Sequence, residues 1–221
     1  MSSVTRHESP ERRPRNPRGQ GAQLRTDLLD ALLVLLAGSG DPEDISIRAV
    51  AKAVGVSPTA VYQHFADRDA MLDAACDRAF EHFAEMLIAA TAPADGPFDR
   101  LSAAGLAYLH YAEAEPGLYR VLFSNPLHLG RHDGGTFPDA DSAGSTAFEV
   151  LVDMVQACLD AGAPGNPPVG QPADATYLSF QIWAWLHGIV DLHITHPAMP
   201  WPPADGMVRE VQRVLGLSAP G

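Results

Sequence analysis

Two sets of side chains between residues 48 and 68 have the chemistry needed to recognise a nucleic acid. The first set is short or uncharged, which suits close contact with base edges; it comprises Pro58, Thr59, Ala60 and Gln63. The second set supplies hydrogen-bond donors that can reach phosphate oxygens; it comprises Arg48, Lys52, Tyr62, His64 and Arg68. Together they predict a surface that contacts a DNA duplex through its bases and its backbone.

Two short helices joined by a tight turn must position these side chains. Ser46 predicts the N-cap of the first helix, because its hydroxyl can satisfy a free backbone N–H. Gly55 predicts the end of this helix, since glycine adopts the left-handed conformation without steric cost. Ser57 and Pro58 then predict the N-cap and the first residue of the second helix.

The two helices are expected to pack closely against each other. Val61 lies on the side of the second helix that meets the first, and the small Ala51 permits a close approach. This layout predicts a helix-turn-helix whose second helix, residues 57–64, enters a DNA major groove. A helical hairpin with no DNA-binding role would show the same apolar pattern, so it stays an alternative on pattern alone.

The segment from Arg48 to Phe65, followed by Asp67, Arg68 and Leu72, resembles the DNA-binding domain of the TetR family of transcriptional repressors. Its Gly-Val-Ser…Tyr-x-His-Phe core is highly specific to that family. The resemblance implies DNA contacts at Ser46, Arg48, Ser57, Pro58, Thr59, Ala60, Tyr62, Gln63, His64 and Arg68. Among these, it implies phosphate contacts for Ser46, Arg48, Tyr62, His64 and Arg68. Arg68 stands where the family often has a lysine, and it keeps the charge.

The charge distribution is compatible with DNA binding, although the net charge is −12. Residues 1–78 hold ten of the fifteen basic residues and eleven of the 27 acidic ones, so the acidity is concentrated in residues 79–221. Residues 1–21 are Arg-rich and broken by prolines, which predicts a disordered basic arm drawn to phosphates or the minor groove. An inert solvated tail is the alternative.

The apolar spacing elsewhere predicts helices, and no segment shows sustained strand alternation. The chain is therefore expected to be all-α. After the arm we expect a three-helix DNA-binding domain (22–66), a connecting helix (67–91) and a C-terminal bundle (92–217). A long mobile loop is expected from Pro126 to Gly144, where glycine, proline, aspartate and histidine dominate.

Residues 175–190 are uncharged and apolar on nearly all sides. They are too short to span a bilayer core of roughly 30 Å, so a buried helix or a subunit interface is expected. Ile182 and Ile189 are expected to face the partner in such an interface. The sequence Trp185-Leu-His187-Gly188 resembles a signature of one C-terminal domain class of the same family. That resemblance implies a four-helix homodimer interface built from residues 145–161 and 174–194 of each chain.

The resemblance also implies that the C-terminal bundle binds a small-molecule inducer. Side chains able to line such a pocket are Tyr108, Tyr111, Tyr119, Phe123, Phe180, Gln181, Trp183 and His187. Ordinary core packing would account for each of them as well. The histidine spacings do not match a metal-ligand set, so no metal and no cofactor are expected.

These features predict a ligand-responsive repressor that binds a palindromic operator as a homodimer. A constitutive or architectural DNA-binding protein without an inducer differs only in the C-terminal pocket. A helical enzyme is a remote alternative, because the chain has no Gly-rich phosphate loop and no nucleophile elbow. The two cysteines lack metal spacing, and no signal peptide or membrane anchor is visible, so a reduced, cytoplasmic protein is expected.

Overall fold

The computed structural model describes residues 21–39, 42–123, 143–167 and 170–219, and within these ranges it contains helices and no strand. The all-α prediction is thereby confirmed. The helices are α1 (Gly21–Ser39), α2 (Ile47–Val54), α3 (Pro58–Val61), α4 (Arg68–Thr91), α5 (Pro97–Ala114), α6 (Pro116–Phe123), α7 (Ala143–Asp160), α8 (Ala175–Thr195) and α9 (Ala204–Val214), with a 3₁₀ turn at Pro42–Asp44. The predicted arm and nearly all of the predicted 126–144 loop lie outside the described residues.

The predicted caps of the helix-turn-helix are present. The Ser46 hydroxyl accepts a hydrogen bond from the Ala49 N–H at the start of α2, and Gly55 ends that helix with φ of 75°. The Ser57 hydroxyl accepts from the Ala60 N–H at the start of α3. Ala51 and Val61 are both buried where the two helices meet. Short-range hydrogen bonding therefore fixes the ends of these helices, and close packing fixes their angle.

The second helix of this motif is shorter than the predicted 57–64. Regular α-helix covers Pro58–Val61, and the N–H groups of Gln63 and His64 then bond to carbonyls three residues earlier. Phe65, just beyond, is buried. The chain tightens its last turn so that this aromatic ring reaches the core while the preceding polar residues stay outside.

The long helix α4 joins the two halves of the molecule. Asp67 caps its N-terminus by accepting from the Ala70 N–H. Near that end Met71 and Leu72 are buried in the N-terminal half, and further along Phe83 and Leu87 are buried against the C-terminal helices. One continuous apolar face of α4 therefore packs against both halves.

Helices α5 to α9 form the C-terminal bundle, and α6 also packs against α1. At Gly117 on α6, an added Cβ would lie 2.5 Å from the carbonyl oxygen of Ala37 on α1. Only a glycine allows the two backbones to approach this closely. None of the described helices is long and apolar enough to cross a membrane.

Candidate nucleic-acid interface and polar core cluster

The residues predicted to contact DNA lie on α2, on α3 and in the turns beside them. Most are exposed, namely Ser46, Arg48, Ser57, Pro58, Thr59, Tyr62 and Gln63, whereas Ala60, His64 and Arg68 are half-buried. Tyr62 is 56% exposed despite its aromatic ring. The seven exposed side chains thus remain outside the core, which leaves them available to a partner surface.

The two cap serines combine a structural and a binding capacity. Each hydroxyl oxygen accepts a backbone N–H, at 3.2 Å for Ser46 and 3.3 Å for Ser57. A hydroxyl has one proton and two acceptor lone pairs, so the cap leaves its proton available to a phosphate oxygen. The exposed N-terminus of α2 adds the positive end of a helix dipole at Ser46.

Arg68 is engaged inside the domain. Its Nε–H donates to the carbonyl oxygen of Ile45 at 2.8 Å. Its Nη1 lies 3.7 Å from Asp69 Oδ1 and 3.9 Å from Glu43 Oε1. A phosphate contact of Arg68 stays a prediction, and any such contact would compete with these partners.

Arg25 is a residue of this region that the sequence did not single out. Its guanidinium lies 5.1 Å from the ring centroid of Phe65, in a cation–π contact. The contact ties the N-terminal part of α1 to the chain just after α3. The two residues are far apart in the sequence, and no local pattern pairs them.

A second cluster lies in the C-terminal bundle around His187. The Tyr108 hydroxyl on α5 is 3.0 Å from His187 Nε2, and the Tyr119 hydroxyl on α6 is 2.7 Å from His187 Nδ1. Phe123 and Trp183 contact the imidazole edge-on, with centroids 4.6 and 4.9 Å away. Both imidazole nitrogens therefore have partners inside an aromatic shell, and three helices meet at this one side chain.

The cluster is uncharged at neutral pH. Burial lowers the pKa of His187 to about 4, although the Asp191 carboxylate acts in the opposite direction. Burial likewise raises the pKa of Tyr108 and of Tyr119. A neutral imidazole has one N–H and one lone pair, so one tyrosine donates to it and the other accepts from it. The accepting tyrosine keeps its own hydroxyl proton for a further acceptor.

The remaining predicted pocket residues lie at the margins of this cluster. Phe180 stacks against Phe148 with centroids 4.6 Å apart and reaches Trp183 at 6.2 Å. Tyr111 packs against Phe83 at 5.2 Å. Burial, and then the Glu115 carboxylate, raise the pKa of Tyr111 to about 12.

Phe83 on α4 is an aromatic residue that the pocket prediction missed. It contacts Tyr108 and Phe123 edge-on, with ring centroids 5.6 Å away in both cases. The sequence predicted the connecting helix, but only the fold shows which aromatic rings Phe83 meets. Through Phe83 the cluster is in direct contact with α4, the helix that leads to the N-terminal half.

The outward face of α8 differs from the one expected. Ile182 is only 5% exposed and packs within its own chain, so the expectation that it faces a partner is wrong. Ile189 is half-buried against the same core. The large apolar side chains that point outward are Tyr177, Phe180, Trp185 and Leu192, with Trp185 40% and Leu192 46% exposed.

Comparison with known proteins identifies two matching regions. The model of the tetR family of bacterial regulatory proteins matches residues 28–75, and that of the tetracyclin repressor-like C-terminal domain matches residues 101–214. The nucleoid occlusion factor SlmA of Yersinia enterocolitica is 29% identical over 103 residues, which are 47% of this chain and 52% of that protein. This chain thus spans about half the length of the curated relatives it matches.

Solved structures share the fold over most of the chain. A protein of unknown function from Rhodococcus sp. RHA1 is 26% identical, with a TM-score of 0.68 over 87% of this chain and 93% of that one. A TetR family transcription regulator from Marinobacter aquaeolei VT8 is 16% identical, with a TM-score of 0.60 over 88% and 98% of the two chains. At that identity, the second likeness concerns the fold alone.

Proposed function

Because this chain belongs to the TetR family of bacterial regulatory proteins, whose members bind DNA and regulate transcription, we propose that it is a ligand-responsive repressor acting as a homodimer on a palindromic operator. The observation that carries the ligand response is the uncharged cluster around His187. It joins α5, α6 and α8, and both α6 and the Phe83-bearing α4 also pack against the DNA-binding half.

Each subunit reads one half-site through α3 and the turn after it. Thr59 and Gln63 are exposed and offer a hydroxyl and an amide to base edges. Ser46, Arg48 and Tyr62 are exposed around them and donate to phosphates. Pro58 and Ala60 are small enough for the helix to approach the groove closely.

The outward apolar face of α8 supports the homodimer. Tyr177, Trp185 and Leu192 follow one another along this face, and each is more than a third exposed in the single chain. A second copy would cover them with the same face by a two-fold axis. Such a dimer presents two copies of α3 to two half-sites, which is why the operator is expected to be palindromic.

The chemistry of the His187 cluster determines which chemical groups an inducer must carry. Neutral imidazole and phenol groups, within a shell of Phe123 and Trp183, favour an uncharged molecule with aromatic or apolar surface and one or two hydrogen-bonding groups. The proposed lining comprises Tyr108, Tyr111, Tyr119, Phe123, Trp183 and His187, with Phe180 at its exposed margin.

Selection of DNA from a random duplex pool by the full chain tests the operator. The expected product is a sequence with two inverted half-sites, bound with an affinity that falls steeply with salt. A pool that shows no enrichment would refute operator binding. A thermal-shift screen of uncharged aromatic metabolites and antibiotics then tests the inducer, and a hit must also release the selected duplex. If no compound does both, the constitutive DNA-binding protein is the better description.

A further inference from the structure

We propose that Arg68 is a positioning residue of the DNA-binding domain: through its Nε–H it fixes the start of α2, and it does not contact phosphate. The proposal rests on the DNA binding of the family. It gives a different role to a residue that the sequence resemblance assigns to the DNA backbone.

The hydrogen bond of Arg68 joins two elements that are distant in the sequence. Arg68 is the first residue of α4, and its Nε–H donates to the carbonyl of Ile45 at 2.8 Å across 23 residues. Ile45 lies between the 3₁₀ turn and α2, and its side chain is buried. The bond therefore ties the N-terminus of the connecting helix to the peptide that leads into α2.

That peptide sets the position of the proposed phosphate contacts on α2. The residue after Ile45 is the N-cap Ser46, whose carbonyl accepts the N–H groups of Ala49 and Val50 at 2.9 and 3.2 Å. The first turn of α2 thus holds the 46–47 peptide, and Arg68 holds the 45–46 peptide just before it. Rotation of this peptide would move the Ser46 hydroxyl and the Arg48 backbone together, away from the arrangement that DNA requires.

The charges around Arg68 are unfavourable for a phosphate contact. The carboxylates of Asp69 and Glu43 lie 3.7 and 3.9 Å from its Nη1, so one guanidinium faces two negative groups. An arriving phosphate would be repelled by both carboxylates. Only 27% of the Arg68 side chain is exposed. Arg48, by contrast, is exposed on α2.

Two variants of Arg68 separate the roles of the bond and of the charge. In Arg68→Gln, the amide nitrogen is as many bonds from Cα as the arginine Nε, so the donor to Ile45 stays and the charge is lost. In Arg68→Lys, the charge stays, but the nitrogen is one bond further along the side chain. Arg48→Gln and Arg48→Lys are the matched controls at a proposed phosphate contact.

Fluorescence anisotropy with two labelled duplexes measures the outcome. One duplex is selected by the wild-type chain from a random pool, and the other is a scrambled duplex of the same length. We expect Arg68→Lys to lose about tenfold in affinity for the selected duplex, the equivalent of about 1.4 kcal/mol, with unchanged affinity for the scrambled one. We expect Arg68→Gln to bind both duplexes like the wild type, with the same salt dependence. We expect the reverse at Arg48: Arg48→Lys should bind like the wild type, whereas Arg48→Gln should lose affinity.

Several results would overturn the positioning role. A salt slope that falls by about one per subunit in Arg68→Gln, with wild-type binding by Arg68→Lys, would show a phosphate contact. Equal loss in both variants, or no loss in either, would also contradict it. The bond itself is tested without DNA by solvent exchange of the Arg68 Nε–H in NMR spectra of the wild-type chain. Exchange as fast as that of Arg48 would refute the bond, whereas failure to select DNA would count against operator binding alone.

Discussion

Acidification should destabilise the folded chain through His187, because its imidazole is held neutral in the fold. The pKa of His187 is about 4 in the folded protein, against an ordinary value of 6.5. Between these two pH values the unfolded chain binds a proton that the folded chain does not, so stability falls as the pH falls. The His187 contribution is fully present above about pH 6.5 and is lost by about pH 4.

The size of this effect follows from the gap between the two pKa values. Each pKa unit corresponds to about 1.36 kcal/mol, so the gap is worth about 3 kcal/mol. His187 is only half-buried, and solvent screening reduces the effect to about 2 kcal/mol. Other groups also titrate between pH 4 and 7, so the quantity to measure is the difference in unfolding free energy between the wild type and His187→Gln.

Urea unfolding at a series of pH values gives that difference. We expect the stability advantage of the wild type over His187→Gln to shrink by about 2 kcal/mol between pH 7 and pH 4. His110→Gln, which removes an exposed histidine on α5, is the control for the loss of one imidazole. A difference between wild type and His187→Gln that stays constant across this range would refute the neutral state of His187 in the folded protein.

Three further predictions concern the DNA surface, the dimer and the inducer. Gln63→Ala should change base preference within the half-site, as measured by repeated selection from a random duplex pool; an unchanged consensus would argue against base contact. Wild-type protein should sediment as a dimer at micromolar concentration and Trp185→Asp as a monomer, and a wild-type monomer would contradict the interface. Trp183→Ala should abolish release of DNA by an identified inducer while keeping operator affinity, so a mutant that responds normally would exclude Trp183 from the pocket.

The parts of the fold that the sequence predicted are those fixed by neighbouring residues. Ser46, Gly55 and Ser57 act on backbone groups within one turn of themselves, so their type and spacing were sufficient to predict the helix ends. The predicted length of α3 was wrong because Phe65 is buried in a core assembled from several helices. The local sequence pattern does not show which residues that core buries. Local hydrogen bonding can therefore be predicted from the sequence more readily than the tertiary packing that overrides it.

The side chains whose contacts could not be predicted from the sequence are those whose partners are distant in the chain. Ile182 belongs to a run that is apolar on nearly all sides, so periodicity could not say which residues face the chain's own core and which face outward. The bond from Arg68 to Ile45 spans 23 residues, and no spacing rule predicts it. The same limit applies to Phe83, whose aromatic neighbours come from α5 and α6.

Helix α6 gives the His187 cluster a short path to the DNA-binding half in the proposed repressor. Tyr119, which bonds to His187, is two residues from Gly117, where the α6 backbone packs directly on α1 at Ala37. An inducer could take the place of Tyr119 as the hydrogen-bond partner of His187. This would exchange one neutral hydrogen bond in each subunit, worth about 0.5–1.5 kcal/mol.

Two such exchanges in a homodimer supply about 1–3 kcal/mol, which corresponds to a change in operator affinity of roughly 5- to 150-fold. The backbones of α6 and α1 are in direct contact at Gly117, so a displacement of α6 must also move α1. By reciprocity, bound operator must weaken the binding of the inducer by the same factor. Titration of an identified inducer into free and operator-bound protein measures that factor, and equal affinities would rule out coupling by this path.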